Sequence, residues 1–268
     1  MIDFYSTSTA SLDSFFLSGK IPPVKLKRAR LDNLQFEGDI ACGLEVYIPD
    51  HIAETELENI TLKVTSAVPD SFIVLIAIPQ GHLDISLHDG GHRMIFATAN
   101  RIEMKIRAFG PSEFIVGENT FCAGARAVVA NASVLIGPDC LLSDDILIQA
   151  GDQHSILDAR TRKQLNGNMR RLKIGQHVWI GRRAVICNRA DIGNGAILGT
   201  AAVAGGTIPA FSVAVGNPAR PVKTDISWSL GPTPQSFEDA FFTTYDAPQP
   251  KLTLLERLLS KLWDRGRG

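Results

Sequence analysis

From Ile174 the hydrophobic positions recur every six residues, in the blocks IGQHVW IGRRAV ICNRAD IGNGAI LGTAAV AGGTIP. A large aliphatic residue opens the blocks at Ile174, Ile180, Ile186, Ile192 and Leu198, and Ala204 opens the sixth. Position two reads Gly175, Gly181, Cys187, Gly193, Gly199 and Gly205. Position five reads Val178, Ala184, Ala190, Ala196, Ala202 and Ile208. Strand side chains alternate between two faces, so a sharp corner every six residues folds such a strand into a triangular coil. Positions one and five then point into a narrow prism. Glycine at position two is expected to serve the tight backbone of the corner. Three hexads make one coil, and successive coils stack like neighbouring parallel strands, about 4.8 Å apart. The period predicts a β-solenoid.

A less regular version precedes these blocks. Ile136-Gly137, Leu142-Ser143 and Ile148-Gln149 keep the step of six, with Cys140 and Ile146 at the fifth position. Val116-Gly117 and Cys122-Ala123 are also in step, but the next small position, Ala130, comes too late, which predicts a local bulge. Leu83 to Gly110 reads as irregular early coils. Between Ile148 and Ile174 the repeat is interrupted by a polar, basic stretch, and a long loop inside a compact repeat is usually functional.

The ends lack the hexad. Leu44–Ile48, Ile60–Thr65 and Phe72–Ile78 read as strands and Ser11–Leu17 as a short helix. A solenoid needs its open edge capped. The expected organisation is therefore an N-terminal α/β or β cap domain over 1–80, a solenoid over 81–222, and a C-terminal linker and helical tail over 223–268. In the tail Leu254, Leu255, Leu258, Leu259 and Leu262 fall at helical spacing, giving an amphipathic helix suited to packing or to peripheral contact with a membrane.

The hexads, followed through GDQHSILD, IGQHVWIG and IPAFSVAVGNPARPVK, resemble the hexapeptide-repeat acyltransferases, most of all the bacterial sugar and polysaccharide O-acetyltransferases. The resemblance covers about residues 83–222. It implies a mainly β chain with a left-handed parallel β-helix, a homotrimer with active sites between neighbouring prisms, acetyl-coenzyme A as co-substrate, and a sugar or polysaccharide acceptor. It also implies that His154, in the interrupting loop, is the catalytic base. An imidazole titrates near neutral pH and suits removal of a hydroxyl proton. Asp152, two residues earlier, is a candidate to orient it. Trp179 occupies position six and is expected to face outward, and in the resembling enzymes a Trp of this motif lies at the coenzyme and acceptor site. Gly181, Gly199, Thr200, Gly205 and Gly206 are candidates to line an extended pantetheine arm, and Arg182, Arg183, Arg220 and Lys223 to meet its phosphates. Relatives often carry a Lys before an Asp-Ile-Pro segment; here Gly205-Gly206-Thr207-Ile208-Pro209 lacks it. The loop's Arg160, Arg162, Lys163, Arg170, Arg171 and Lys173 suit an anionic saccharide.

Composition narrows the classes. The chain has 268 residues and a formal net charge of −1, which argues against a non-specific nucleic-acid binder. Its four cysteines include no C-x-x-C pair, so neither a metal nor a disulfide framework is expected. No stretch is long and apolar enough to span a bilayer, and the N-terminal residues do not read as a signal peptide, so the expected location is cytoplasmic. Other classes remain open on this scaffold. N-acetyl transfer to an aminosugar would use the same base. A metal hydratase would need three His ligands, and the solenoid offers His154 and His177 without a third. A non-catalytic scaffold would not bind the coenzyme.

Overall fold

The hexads form three lanes of stacked strands. A computed structural model describes residues 25–166 and 170–230. Within it, Lys25–Trp228 make one compact unit. The helices expected at 11–17 and 252–263 lie outside the described residues.

The first face carries the strands Leu44–Pro49, Ser71–Leu75, His92–Phe96, Ser112–Val116, Ala132–Ile136, Arg170–Ile174, Asp191–Ile192 and Thr207–Ile208, each parallel to the next. On the second face Ile102, Cys122, Leu142, Ile180, Leu198 and Ala214 stack in register. On the third the column is Phe36, Leu62, Ile85, Ile106, Ala127, Ile148, Ile186 and Ala204. Apart from Phe36, which packs partly buried against it, these columns and the inward residues of the first face form one continuous aliphatic core. A prism this narrow is filled by Ile, Val, Leu and Ala, which accounts for the low aromatic content of 7%.

The solenoid begins much earlier than residue 81. The strands over 35–75 pair in parallel in the same lanes as those downstream, so this stretch is coil and not a separate cap. The reason it does not read as a repeat is its pitch. Ile85, Ile106, Ala127 and Ile148 are register partners 21 residues apart, whereas Ile174 and Ile192, or Ile180 and Leu198, are 18 apart. A pitch of 21 accommodates longer strands but breaks the count of six. The expected bulge is present: the register shifts between Cys122 and Ala125, where the long strand Phe121–Ala130 bends from the second face to the third.

Two details of the hexad differ from expectation. Ile208 pairs with Ile192, 16 residues before it, so it occupies the position-one lane and the last coil is two residues short. The corner conformation belongs to position four rather than position two: His177, Arg183, Arg189, Gly195 and Ala201 all have φ between +54° and +67°. Glycine at position two answers a different need. A Cβ on Gly181 would lie 2.7 Å from the backbone nitrogen of Thr200, and one on Gly137 2.6 Å from the carbonyl oxygen of Gly175. The next coil passes too close for any side chain. Below the last coil the antiparallel strand Arg220–Thr224 folds back on Ser212–Val215 through a turn with a cis Asn217–Pro218 bond. Among the described residues no helix is long and apolar enough to cross a membrane.

Candidate active site

The prism has three edges, and the candidate residues fall on all of them. Between the third and first faces the chain leaves after Ile146–Ala150 and returns at Arg170–Ile174. Ile148 and its partner Ile186 are 38 residues apart, 20 more than an unbroken coil of 18, and those 20 residues are the loop. Gly151 opens it at φ +85°, its backbone N–H donating to the side-chain oxygen of Asn188 on the next coil. The amide nitrogen of Asn188 donates to Asp152 Oδ1 (2.8 Å), and Asn166 Nδ2 donates to Asp152 Oδ2 (3.1 Å) and to the His154 carbonyl (2.8 Å). Beyond this clamp the loop is a small hairpin: Leu165 N donates to Ile156 O (2.7 Å), and Leu157 bridges Gln164. Asp158 caps its turn, accepting from Thr161 N, Thr161 Oγ1 and Arg160 N, and these donors, Thr161 foremost, hold its carboxyl below the usual range.

His154 is thus an exposed side chain on a backbone pinned from both sides. Asp152 does not hold the imidazole, because both its oxygens receive Asn amides. It fastens the loop's base instead. Asn166 and Asn188, which the sequence did not single out, are the residues that place His154. The signal was available in one respect: Cys187-Asn188 is where the run of position-two glycines fails. The coil after it is open at this edge. A Cβ on Gly205 would meet nothing nearer than Cys187 Cβ at 3.7 Å, and one on Gly206 nothing within 4 Å.

At the edge between the first and second faces stands Trp179, 37% exposed and pointing outward as its position requires. Its indole N–H donates weakly to Ser143 Oγ (3.4 Å). His177, at the corner, stacks on Trp228 with ring centroids 4.3 Å apart. At the remaining edge Arg182 pairs with Asp144 (2.6 Å) and Arg183 with Asp145 (3.3 Å). The hydrogen bond from Arg182 lowers the Asp144 carboxyl, and Asp144 raises the guanidinium. Thr200 is exposed on this same edge, while Gly181 and Gly199 serve coil stacking there. Arg220 is exposed on the closing strand. Within one chain, then, His154 and Trp179 belong to different edges, and no contact joins them among the described residues.

The thiols are inert. Burial pushes Cys122 and Cys140 up to about 12 and raises Cys187, and Cys42 is buried. None of the three with raised values supplies a thiolate near neutral pH.

Three lanes of hexads and a histidine loop inserted at one edge define a hexapeptide-repeat β-helix. No profile of a known protein family matches the chain. Over 131 residues it is 38% identical to a polysialic acid O-acetyltransferase of Escherichia coli O1:K1 / APEC, a match covering 48% of this chain and 42% of that relative. The fold is that of the crystal structure of the polySia specific acetyltransferase NeuO, with a TM-score of 0.60 and 23% identity over 70% of this chain and 88% of the other. The polysialic acid O-acetyltransferase OatWY aligns more loosely, at a TM-score of 0.41 and 19% identity over 70% of this chain and 76% of its own. The architecture is the expected left-handed parallel β-helix. Repeat, fold and sequence relationship place the chain in the hexapeptide-repeat acyltransferase superfamily, beside the bacterial sugar O-acetyltransferases. The matched stretch spans about two fifths of the curated relative's length.

Proposed function

We propose that the protein is an acetyl-coenzyme A-dependent O-acetyltransferase whose acceptor is a hydroxyl of an anionic surface polysaccharide of the polysialic acid type, or of its precursor. The observation that carries this reading is the clamped loop, which presents an exposed imidazole at the edge of a solenoid related in sequence to a polysialic acid O-acetyltransferase.

His154 takes the proton of the acceptor hydroxyl as its oxygen attacks the thioester carbon. The tetrahedral oxyanion is met by the Trp179 indole N–H, which its long bond to Ser143 leaves ready to exchange partners, or by a backbone N–H. Collapse breaks the C–S bond, and the departing thiolate recovers the proton from the imidazolium. The high thiol values leave direct transfer as the simplest course, with no acyl-enzyme. The side-chain-free lane at Gly205 and Gly206 suits the pantetheine arm, and the unpaired surface guanidinium of Arg220 and nearby Lys223 suit the phosphates. Exposed Arg160, Arg162 and Lys163 on the loop suit a polyanionic acceptor.

Since His154 and Trp179 sit on different edges of one prism, the reading includes a homotrimer in which the loop of one copy reaches the Trp179 edge of the next. Ile156, Leu157 and Leu165, each more than half exposed on the hairpin, supply an apolar surface for that contact. The test is transfer of radiolabelled acetyl from acetyl-coenzyme A to polysialic acid, with hydroxyl and amine sugars as controls. His154→Ala is expected to lower kcat about 10²- to 10⁴-fold with the circular dichroism spectrum unchanged. Near-wild-type transfer by that variant would remove the base assignment, and preferential labelling of amines would redirect the reading to N-acetylation.

A further inference from the structure

The chain does not simply run off the solenoid after its last strand. It returns to the first–second edge and seats Trp228 there, 51 residues from His177 in sequence. Trp228 is 8% exposed. Its indole N–H donates to the His177 carbonyl (2.8 Å), His177 Nε2 donates to the Trp228 carbonyl (3.0 Å), and the two rings lie 11° from parallel. Two reciprocal hydrogen bonds and a stack between the same two residues make a latch with little rotational freedom. His177 is itself fixed: its φ is +54° and its N–H donates to Pro138 O (2.9 Å). The other side of the Trp228 ring system faces Trp179, with centroids 6.1 Å apart and planes 49° apart, within the range in which tilted aromatic pairs attract.

Trp179 therefore stands between two neighbours, Trp228 on one side and Ser143 on the other. An outward-facing indole on a narrow prism would otherwise sample several rotamers. We infer that Trp228 is a positioning residue: locked by His177, it fixes the plane of the Trp179 indole and so the direction of its N–H. The inference rests on the reading of Trp179 as part of the acetyl-transfer site, but the geometry it asserts is measurable without turnover.

The experiment uses the full chain carrying Trp263→Phe, so that Trp179 and Trp228 are the tryptophans left. In that protein the two indoles are expected to give an exciton couplet in circular dichroism. Trp228→Phe keeps a ring stacked on His177 and loses only the N–H donor; Trp228→Leu loses both. Trp179, then the sole tryptophan, is expected to show a higher acrylamide quenching constant in the Leu variant than in the Phe variant. With acetyl-coenzyme A and polysialic acid, the Leu variant is expected to lose roughly 10- to 100-fold in kcat with KM for the acceptor little changed, and the Phe variant to recover most of it. Equal quenching in the two variants together with wild-type kcat in the Leu variant would overturn the inference. If the parent protein transfers no acetyl group, the functional reading fails, and the couplet and quenching comparison still decide whether Trp228 holds Trp179. If the Leu variant does not fold, loss of the couplet in His177→Ala tests the same latch, and its retention there would count against it.

Discussion

A hexad assigns different demands to residues only two positions apart. Position two lies against the next coil's backbone; position four turns the corner in the left-handed region. The two respond oppositely to the same exchange. Gly181→Ala is expected to destabilise by about 1–3 kcal/mol, since the new methyl meets Thr200 N and the coils must part. Ala201→Gly, at φ +57°, is expected to stabilise by roughly 1 kcal/mol through relief of left-handed strain. Urea titration of both variants checks this, and the same sign for both would show that the roles have been misassigned. Sequence alone could see that glycine recurs but not why, because close approach between coils and a positive φ leave the same letter. His92 shows a second kind of residue that periodicity hides. It is fully buried on the first face, Nε2 donating to His88 O (3.0 Å) and Nδ1 without a partner. Burial lowers its pKa below the ordinary 6.5. The unfolded chain then binds a proton that the folded chain refuses, so the His92 contribution is complete above pH 6.5 and declines as pH falls toward the lowered value. Unfolding free energies measured from pH 7.5 to 5 are expected to fall less steeply in His92→Leu than in the parent; parallel slopes would dismiss His92 as the source.

At the scale of elements, the strands from Ile174 onward were legible because every lane of the prism demands one residue type every six positions. The earlier strands were legible one by one, as at Leu44–Pro49 and Ile60–Val64, but not as members of a solenoid, since a 21-residue pitch shares no factor of six with the later coils. The loop was legible as an interruption and as the bearer of His154. Its internal structure was not, because it depends on a contact across 36 residues from Asn188 to Asp152. Asn188→Ala removes that contact and leaves the solenoid core untouched. Hydrogen exchange over residues 151–166 is expected to rise and acetyl transfer to fall about tenfold, with the unfolding midpoint shifted by only a few degrees. Unchanged exchange in the loop would mean that Asn166 alone suffices to hold it.

For the whole molecule, stability is a sum of coils each resting on its neighbours, with one core running the length of the prism. The proposed assembly adds a contact that no single prism contains. Replacing Ile156, Leu157 and Leu165 together by Asp is expected to shift sedimentation from trimer to monomer and abolish transfer while leaving the single-chain fold intact. Full trimer retention in this variant would place the subunit contact elsewhere. Trp228 belongs to this scale as well: its partner lies so far back along the chain that no local pattern pairs them.

The loop's effect on the lanes is a shift of zero. Ala132–Ile136 meets Arg170–Ile174, and Leu147 and Ile148 meet Val185 and Ile186, in the same register that an uninterrupted coil would have. Scaffold and insert are therefore separable parts. Closing a longer loop at that edge costs only about 0.6 kcal/mol per doubling of its length. The edge behaves as a socket: the segment plugged into it can change length and sequence to suit a new acceptor without the aliphatic columns registering that anything has been exchanged.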